Sequence, residues 1–124
     1  MIVYQVYKIY YNRESMRRNE LRRNELQCPA RRTLLIVGGR WKVPILFYLE
    51  SGPRRFSELR RLLMPVTPRM LAQQLRQLEK SGLVRRKIYA QMPPKVEYSL
   101  TPVGRSLKPV VAAMCRWGSG RKCR

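Results

Sequence analysis

Residues 67–101 read TPRMLAQQLRQLEKSGLVRRKIYAQMPPKVEYSLT. Thr67 is a good helix N-cap and Pro68 suits the first helical position, where an amide donor has no partner anyway. A helix is therefore predicted from residue 68. Leu71, Leu75 and Leu78 fall at i, i+4 and i+7, one buried stripe. Arg69, Gln73, Arg76 and Lys80 occupy the other side, widened by Gln74 and Gln77, and Gly82 ends the run. Two strands follow. VEYSL alternates Val96, Tyr98 and Leu100 with Glu97 and Ser99, the period of a half-buried strand. LVRRKIY is less regular and carries Arg85, Arg86 and Lys87. The linker AQMPP holds two prolines, which stiffen it.

Outward from this stretch, Cys28 opens the orderly part of the chain. ARRTLLIVGG gives a short helix closed by Gly38-Gly39. RWKVPILFYLESGP gives a second, with Ile45, Leu46 and Leu49 inward and Pro44 in its first turn. RFSELRRLL is a third, with Phe56, Leu59, Leu62 and Leu63 on one face and Arg60 and Arg61 pointing away. After the strands, Thr101-Pro102 repeats the cap-plus-proline start. The last helix carries Val103, Leu107, Val110, Met114 and Trp117 on one stripe, with a bend expected at Pro109.

The last three of the helices before the ribbon, the two-stranded ribbon and the closing helix make a winged helix-turn-helix, mainly α with a small β-ribbon. That motif lays its second helix in the DNA major groove. Arginine binds guanine O6 and N7 in bidentate fashion, and glutamine does the same to adenine N6 and N7. Arg69, Gln73 and Gln74 are thus the candidates for reading bases. Thr67, at the helix N-terminus, suits a phosphate. Arg54, Arg55, Arg60, Arg61 and Arg76 would hold the DNA backbone. Arg86, Lys87 and Lys95 of the ribbon would extend that contact towards the minor groove.

Composition points the same way. The chain has 124 residues, 27 Lys plus Arg against 7 acids, all Glu, and a formal charge of +20. One domain fills that length, and such a field draws in polyanions. The cations are densest in residues 54–87, ten against Glu58 and Glu79. With no His and no Asp, a catalytic triad or an imidazole metal site has no parts. No enzyme activity, cofactor or metal is expected. The three cysteines lack CxxC spacing and form no disulfide framework. MIVYQVYKIYY is too short to span a membrane and lacks a basic start, so a cytoplasmic protein is expected.

Residues 1–27 read as an extension containing the tandem repeat RRNELRRNEL. One expectation is that Met16 is the natural start and the residues before it are spurious. The orderly domain spans 28–118, and 119–124 form a basic tail.

GGRWKVPILFYL, RFSELRRLL, TPRMLAQQLRQLEKSGLVRRKIY and PPKVEYSLTPVGRSL resemble, in order, signature segments of the HxlR-type winged-helix regulators, within the MarR-like superfamily. With Cys28-Pro29 and Arg116-Trp117-Gly118 the likeness covers about residues 28–118. It departs from the family pattern in YAQMPP, which lacks a common acidic residue, and in its longer front extension. The resemblance implies a homodimeric DNA-binding transcription regulator joined through its first and last helices. That would place Leu34, Leu35, Val103, Leu107, Val110, Met114 and Trp117 in the dimer interface. A symmetric dimer meets two half-sites about one DNA turn apart, so a palindromic operator is expected. Repression is the simplest outcome, by blocking polymerase.

Several members of that family sense oxidants, quinones or electrophiles through a cysteine at the position of Cys28. Arg31, Arg32 and a helix N-terminus nearby favour the reactive thiolate; the plainer reading is a small packed cysteine. Cys115 is expected in the core. The main rival function is an RNA-binding or ribosome-associated basic protein without operator specificity, which would stack bases on exposed aromatics. A protein-interaction module has little need of this charge.

Overall fold

The computed structural model describes residues 28–120. The expectations for the front extension, the Met16 start and the end of the basic tail with Cys123 lie outside those residues. The described residues fall into two units, 28–38 and 39–120.

The first unit contributes helix α1, Pro29–Val37. Proline occupies its first turn, and the Gly38 amide donates to the Leu34 carbonyl at 2.7 Å, closing the helix. The left-handed residue is Gly39, at φ 97°, one position past the closure. Val37 is buried, while Leu34, Leu35 and Ile36 are exposed.

The second unit runs α2 (Lys42–Leu49), β1 (Arg54–Arg55), α3 (Phe56–Leu62), α4 (Pro68–Lys80), β2 (Val84–Tyr89), β3 (Lys95–Leu100), α5 (Pro102–Ser106) and α6 (Lys108–Ser119). Helix α2 is the hub and touches α3, α4, α6 and β3. Its Ile45, Leu46 and Leu49 are at most 2 % exposed, and Pro44 sits in its first turn as expected. They meet Leu59, Leu63, Val66, Leu71, Leu75, Leu78, Val84 and Leu100 in one apolar core. Each such side chain contributes roughly 1.5–3 kcal/mol by leaving water.

The sheet has three strands in the order β1-β3-β2, all antiparallel. The two-residue β1 was not expected. It pairs Arg54 with Tyr98 and Arg55 with Glu97, adding an edge to the ribbon. In the ribbon itself Val84 pairs with Leu100, Arg86 with Tyr98 and Ile88 with Val96. Only its base is buried, at Leu83, Val84, Tyr98 and Leu100.

Three expectations need correction. The last helix is two: α5 ends at Ser106 and α6 begins at Lys108, with Pro109 in the first turn of α6. Proline at 109 has no amide for the Arg105 carbonyl, so the α5 ladder stops rather than bends. Leu62 is 40 % exposed, because Leu59 and Leu63 take the inward positions of the short α3. Cys115 is exposed instead of packed. It lies one turn beyond Val111, the buried residue of α6, where the helix has outrun the cover its own unit provides.

Candidate nucleic-acid interface

Local chemistry fixes where α4 begins and ends. The Met70 amide donates to the Thr67 hydroxyl at 3.1 Å, and Pro68 fills the first turn. At the other end the Leu83 amide reaches back to the Leu78 carbonyl at 3.0 Å, past Gly82 at φ 75°. That left-handed turn suits glycine. Between these stops Leu71, Leu75 and Leu78 are no more than 1 % exposed, so the helix is held along its full inner face.

The outer face is cationic and amide-bearing. Arg69, Gln73, Arg76, Gln77 and Lys80 line one shallow depression of about 350 Å³, with no carboxylate among them. Gln74 is half-buried and lies on the flank, outside that lining. Gln77 and Lys80 complete the face without having been singled out as contacts. Their spacing from Gln73 is the signal that marks them.

A second depression, of about 590 Å³, lies at the turn between α3 and α4. It brings Arg60 and Arg61 beside Thr67 and Pro68, on an apolar floor that includes Phe56, Met64 and Val66. Two exposed guanidinium groups therefore stand next to the N-terminus of α4, which itself favours anions. Met64, 73 % exposed, belongs to this surface and was not anticipated.

Arg54 is placed differently. Its Nε donates to the Tyr48 carbonyl at 2.8 Å, one terminal nitrogen donates to the Ser51 hydroxyl at 2.9 Å, and Glu58 lies 3.7 Å away. These contacts tie the α2–α3 connection together. Arg55 is exposed, and its backbone amide donates to Glu58 at 3.3 Å.

The ribbon divides its cations between two faces. Arg86 shares a face with Tyr98, the one that packs on α4 at its base. Burial pushes the Tyr98 hydroxyl pKa up, with Arg86, Glu79 and Arg76 close enough to be felt. Lys87 and Lys95 lie on the opposite face. Lys95 sits 2.8 Å from Glu97, and both lysines approach the Tyr89 ring, at 4.7 and 5.1 Å. The Lys95 hydrogen bond, with the Tyr89 hydroxyl at 3.2 Å, holds the Glu97 carboxyl below the usual glutamate range. Arg85, Lys87 and Arg105 line a further cleft on this side, with Glu50 and Glu97.

Cys28 precedes α1 as its half-buried N-cap residue, its carbonyl accepting the Arg32 amide at 3.0 Å. The residues expected at a dimer interface are mostly uncovered: Leu34 60 %, Leu35 58 %, Val103 60 %, Trp117 68 %, with Val110 and Met114 also exposed and Leu107 half-buried. Among the described residues there is no cluster of three metal-binding side chains, and no helix is long and apolar enough to cross a membrane.

The helix-turn-helix and its ribbon have a counterpart in known proteins. A model of HxlR-like helix-turn-helix proteins matches residues 36–123. The chain belongs to the HxlR-like helix-turn-helix family. Two relatives are the HTH-type transcriptional regulators YkvN and YdeP of Bacillus subtilis, each 50 % identical. The YkvN match spans 94 residues, 76 % of this chain and 80 % of the relative; the YdeP match covers 78 % and 76 %. Among solved structures, the redox regulator HypR in its oxidized form is 46 % identical, with a TM-score of 0.73 over 78 % of this chain and 100 % of that one. The reduced form of the regulator YodB from B. subtilis is 34 % identical, with a TM-score of 0.65 over 73 % and 89 %. The winged helix-turn-helix expected from the HxlR-like segments is thus the observed fold.

Proposed function

We propose that this chain is a cytoplasmic, homodimeric transcription regulator that binds a palindromic operator in double-stranded DNA and represses the genes beside it. The observation that carries this reading is the outer face of α4. Arg69, Gln73, Arg76, Gln77 and Lys80 stand together with no acid among them, on a helix anchored by three buried leucines. Arg69 and Gln73, nearest the N-terminus, read base edges, joined by Gln74 from the flank. Arg76, Arg60, Arg61 and Thr67 hold phosphates, with Arg55 and the ribbon's Arg86 extending the contact, while Lys87 and Lys95 add only their charge from the ribbon's other face. Arg54 contributes charge from a fixed position. Phosphate contacts set register and base contacts set sequence.

The dimer is supported by the apolar side chains that α6 exposes, Val110, Met114 and Trp117, and by those α1 exposes, Leu34 and Leu35. Isolated apolar residues on a surface need no explanation, but a run along one helix face marks an interaction site. The relatives named as transcriptional regulators support the regulatory role. Footprinting of the purified protein on its own genome tests it. One or a few protected, two-fold symmetric sites are expected at moderate salt, surviving an excess of structured RNA. Uniform protection without a preferred site, or displacement by RNA, contradicts it and favours the RNA-binding alternative.

A response to oxidants or electrophiles through Cys28 is the second part of the proposal. It is supported by the likeness to HypR, a redox regulator, and by the place of the thiol at the head of α1. Oxidant or quinone is expected to weaken operator binding, and Cys28→Ser to abolish that loss. An equal loss in wild type and variant contradicts it.

A further inference from the structure

The tip of the ribbon carries an unusual side chain for a surface that meets an anionic polymer. Residues 90–94, AQMPP, are all exposed and none is charged. Met92 is 96 % exposed, and Ile88, on the strand leading to it, is 61 % exposed. The cations of the ribbon do not compensate for this. Lys87 and Lys95 are drawn to Tyr89 and Glu97 on the far face, which leaves Arg86 on the face shared with α4. Along that face the order outward is Val84, Arg86, Ile88 and then the tip.

We propose that Met92 inserts as an apolar wedge between two base pairs of the minor groove that flanks the site read by α4. This rests on the operator-binding reading above. Strand rise decides whether the reach is sufficient: the six residues of β2 extend roughly 20 Å. Adjacent major and minor grooves on one face of DNA are separated by half a turn, about 17 Å. The ribbon therefore carries its tip to the neighbouring groove when α4 lies in the major groove. Arg86 lies part-way out, placed for the intervening phosphates. Methionine is flexible and polarisable and stacks well against aromatic surfaces. Pro93 and Pro94 hold the loop, so seating it in the groove forfeits little conformational freedom. Apolar wedges of this kind unstack a base step and bend the duplex. The wedge falls where unstacking costs least, so a pyrimidine–purine step is expected beneath it.

The test uses full-length protein and duplexes enriched by it from a random-sequence pool. 2-Aminopurine is placed at successive positions through both flanks, where unstacking raises its fluorescence. Wild type is expected to give a rise at one flanking step in each half-site. Met92→Ala is expected to remove the rise and weaken binding several-fold while the central site stays protected; Met92→Leu is expected to keep both. Met92 is exposed, so circular dichroism of both variants should match wild type. A flat signal with wild type, or an undiminished rise with Met92→Ala, overturns the wedge and leaves the role of α4 standing. Failure to enrich any duplex overturns the operator reading and the wedge with it.

Discussion

The Met70 amide donates to the Thr67 hydroxyl at 3.1 Å, and this bond sets the first turn of α4 and so the placement of Arg69 between the two. Losing a threonine cap costs about 0.5–2 kcal/mol. Thr67→Ala is expected to lower the urea midpoint accordingly, while Thr67→Ser stays near wild type. Equal midpoints for all three would show that α4 does not depend on its cap.

Gly104 is buried where α5 turns under the ribbon, and a Cβ there would overlap the Leu83 carbonyl oxygen and crowd Leu100. The obstruction is backbone, held by the Thr101 amide donating to that same Leu83 oxygen at 3.0 Å. Gly104→Ala is expected to cost about 1–3 kcal/mol, the range of an overpacked core. Gly118→Ala, with open space around it, should cost nothing measurable. Thermal unfolding of the two variants side by side checks this.

Trp117 is 68 % exposed near the end of α6, in line with Val110 and Met114. Placing a carboxylate in a desolvated interface is costly. Trp117→Glu is expected to shift the species seen by light scattering from twice 14.8 kDa towards 14.8 kDa. A wild-type particle of monomer mass at micromolar concentration would contradict the dimer.

Glu97 is held below the ordinary glutamate range by Lys95 and then by Tyr89. A depressed carboxyl stabilises the fold above its unfolded-state pKa, and that contribution disappears as pH falls through the lower folded-state value. Wild-type stability should therefore decline more steeply than that of Glu97→Gln as pH falls through and below the ordinary glutamate range. Parallel curves from urea titrations across that range would show that the interaction is inert.

The part of the fold that sequence patterns reveal is the part built from local signals. Thr67-Pro68, the leucines at 71, 75 and 78, and Gly82 each act within a few residues, so α4 was legible from start to stop. Strand β1 was not, because Arg54 and Arg55 pair with Tyr98 and Glu97, far along the chain. The use of Arg54 as an internal brace by Tyr48 and Ser51 was hidden for another reason: its partners are near in the chain, but an arginine beside a helix reads only as charge. Lys87 and Lys95 looked like two wing cations. Alternation across the strands puts them with Tyr89 and Glu97, on the face away from α4. Pro109 shows the limit of reading one residue type: interior and first-turn prolines look alike until the helix boundary is known.

The central claim is that the outer face of α4 reads bases while the turn before it holds phosphates. Its most direct measurement is the base-preference profile of wild type, Arg69→Ala and Arg60→Ala on one enriched operator at several salt concentrations. Arg69→Ala is expected to cost about 1–3 kcal/mol and to relax preference at one position in each half-site. Arg60→Ala is expected to weaken all sequences alike and reduce the salt slope by about one for each phosphate left without its guanidinium. An Arg69→Ala profile identical to wild type, with Arg69 and Arg60 changing only the salt slope, would contradict the account.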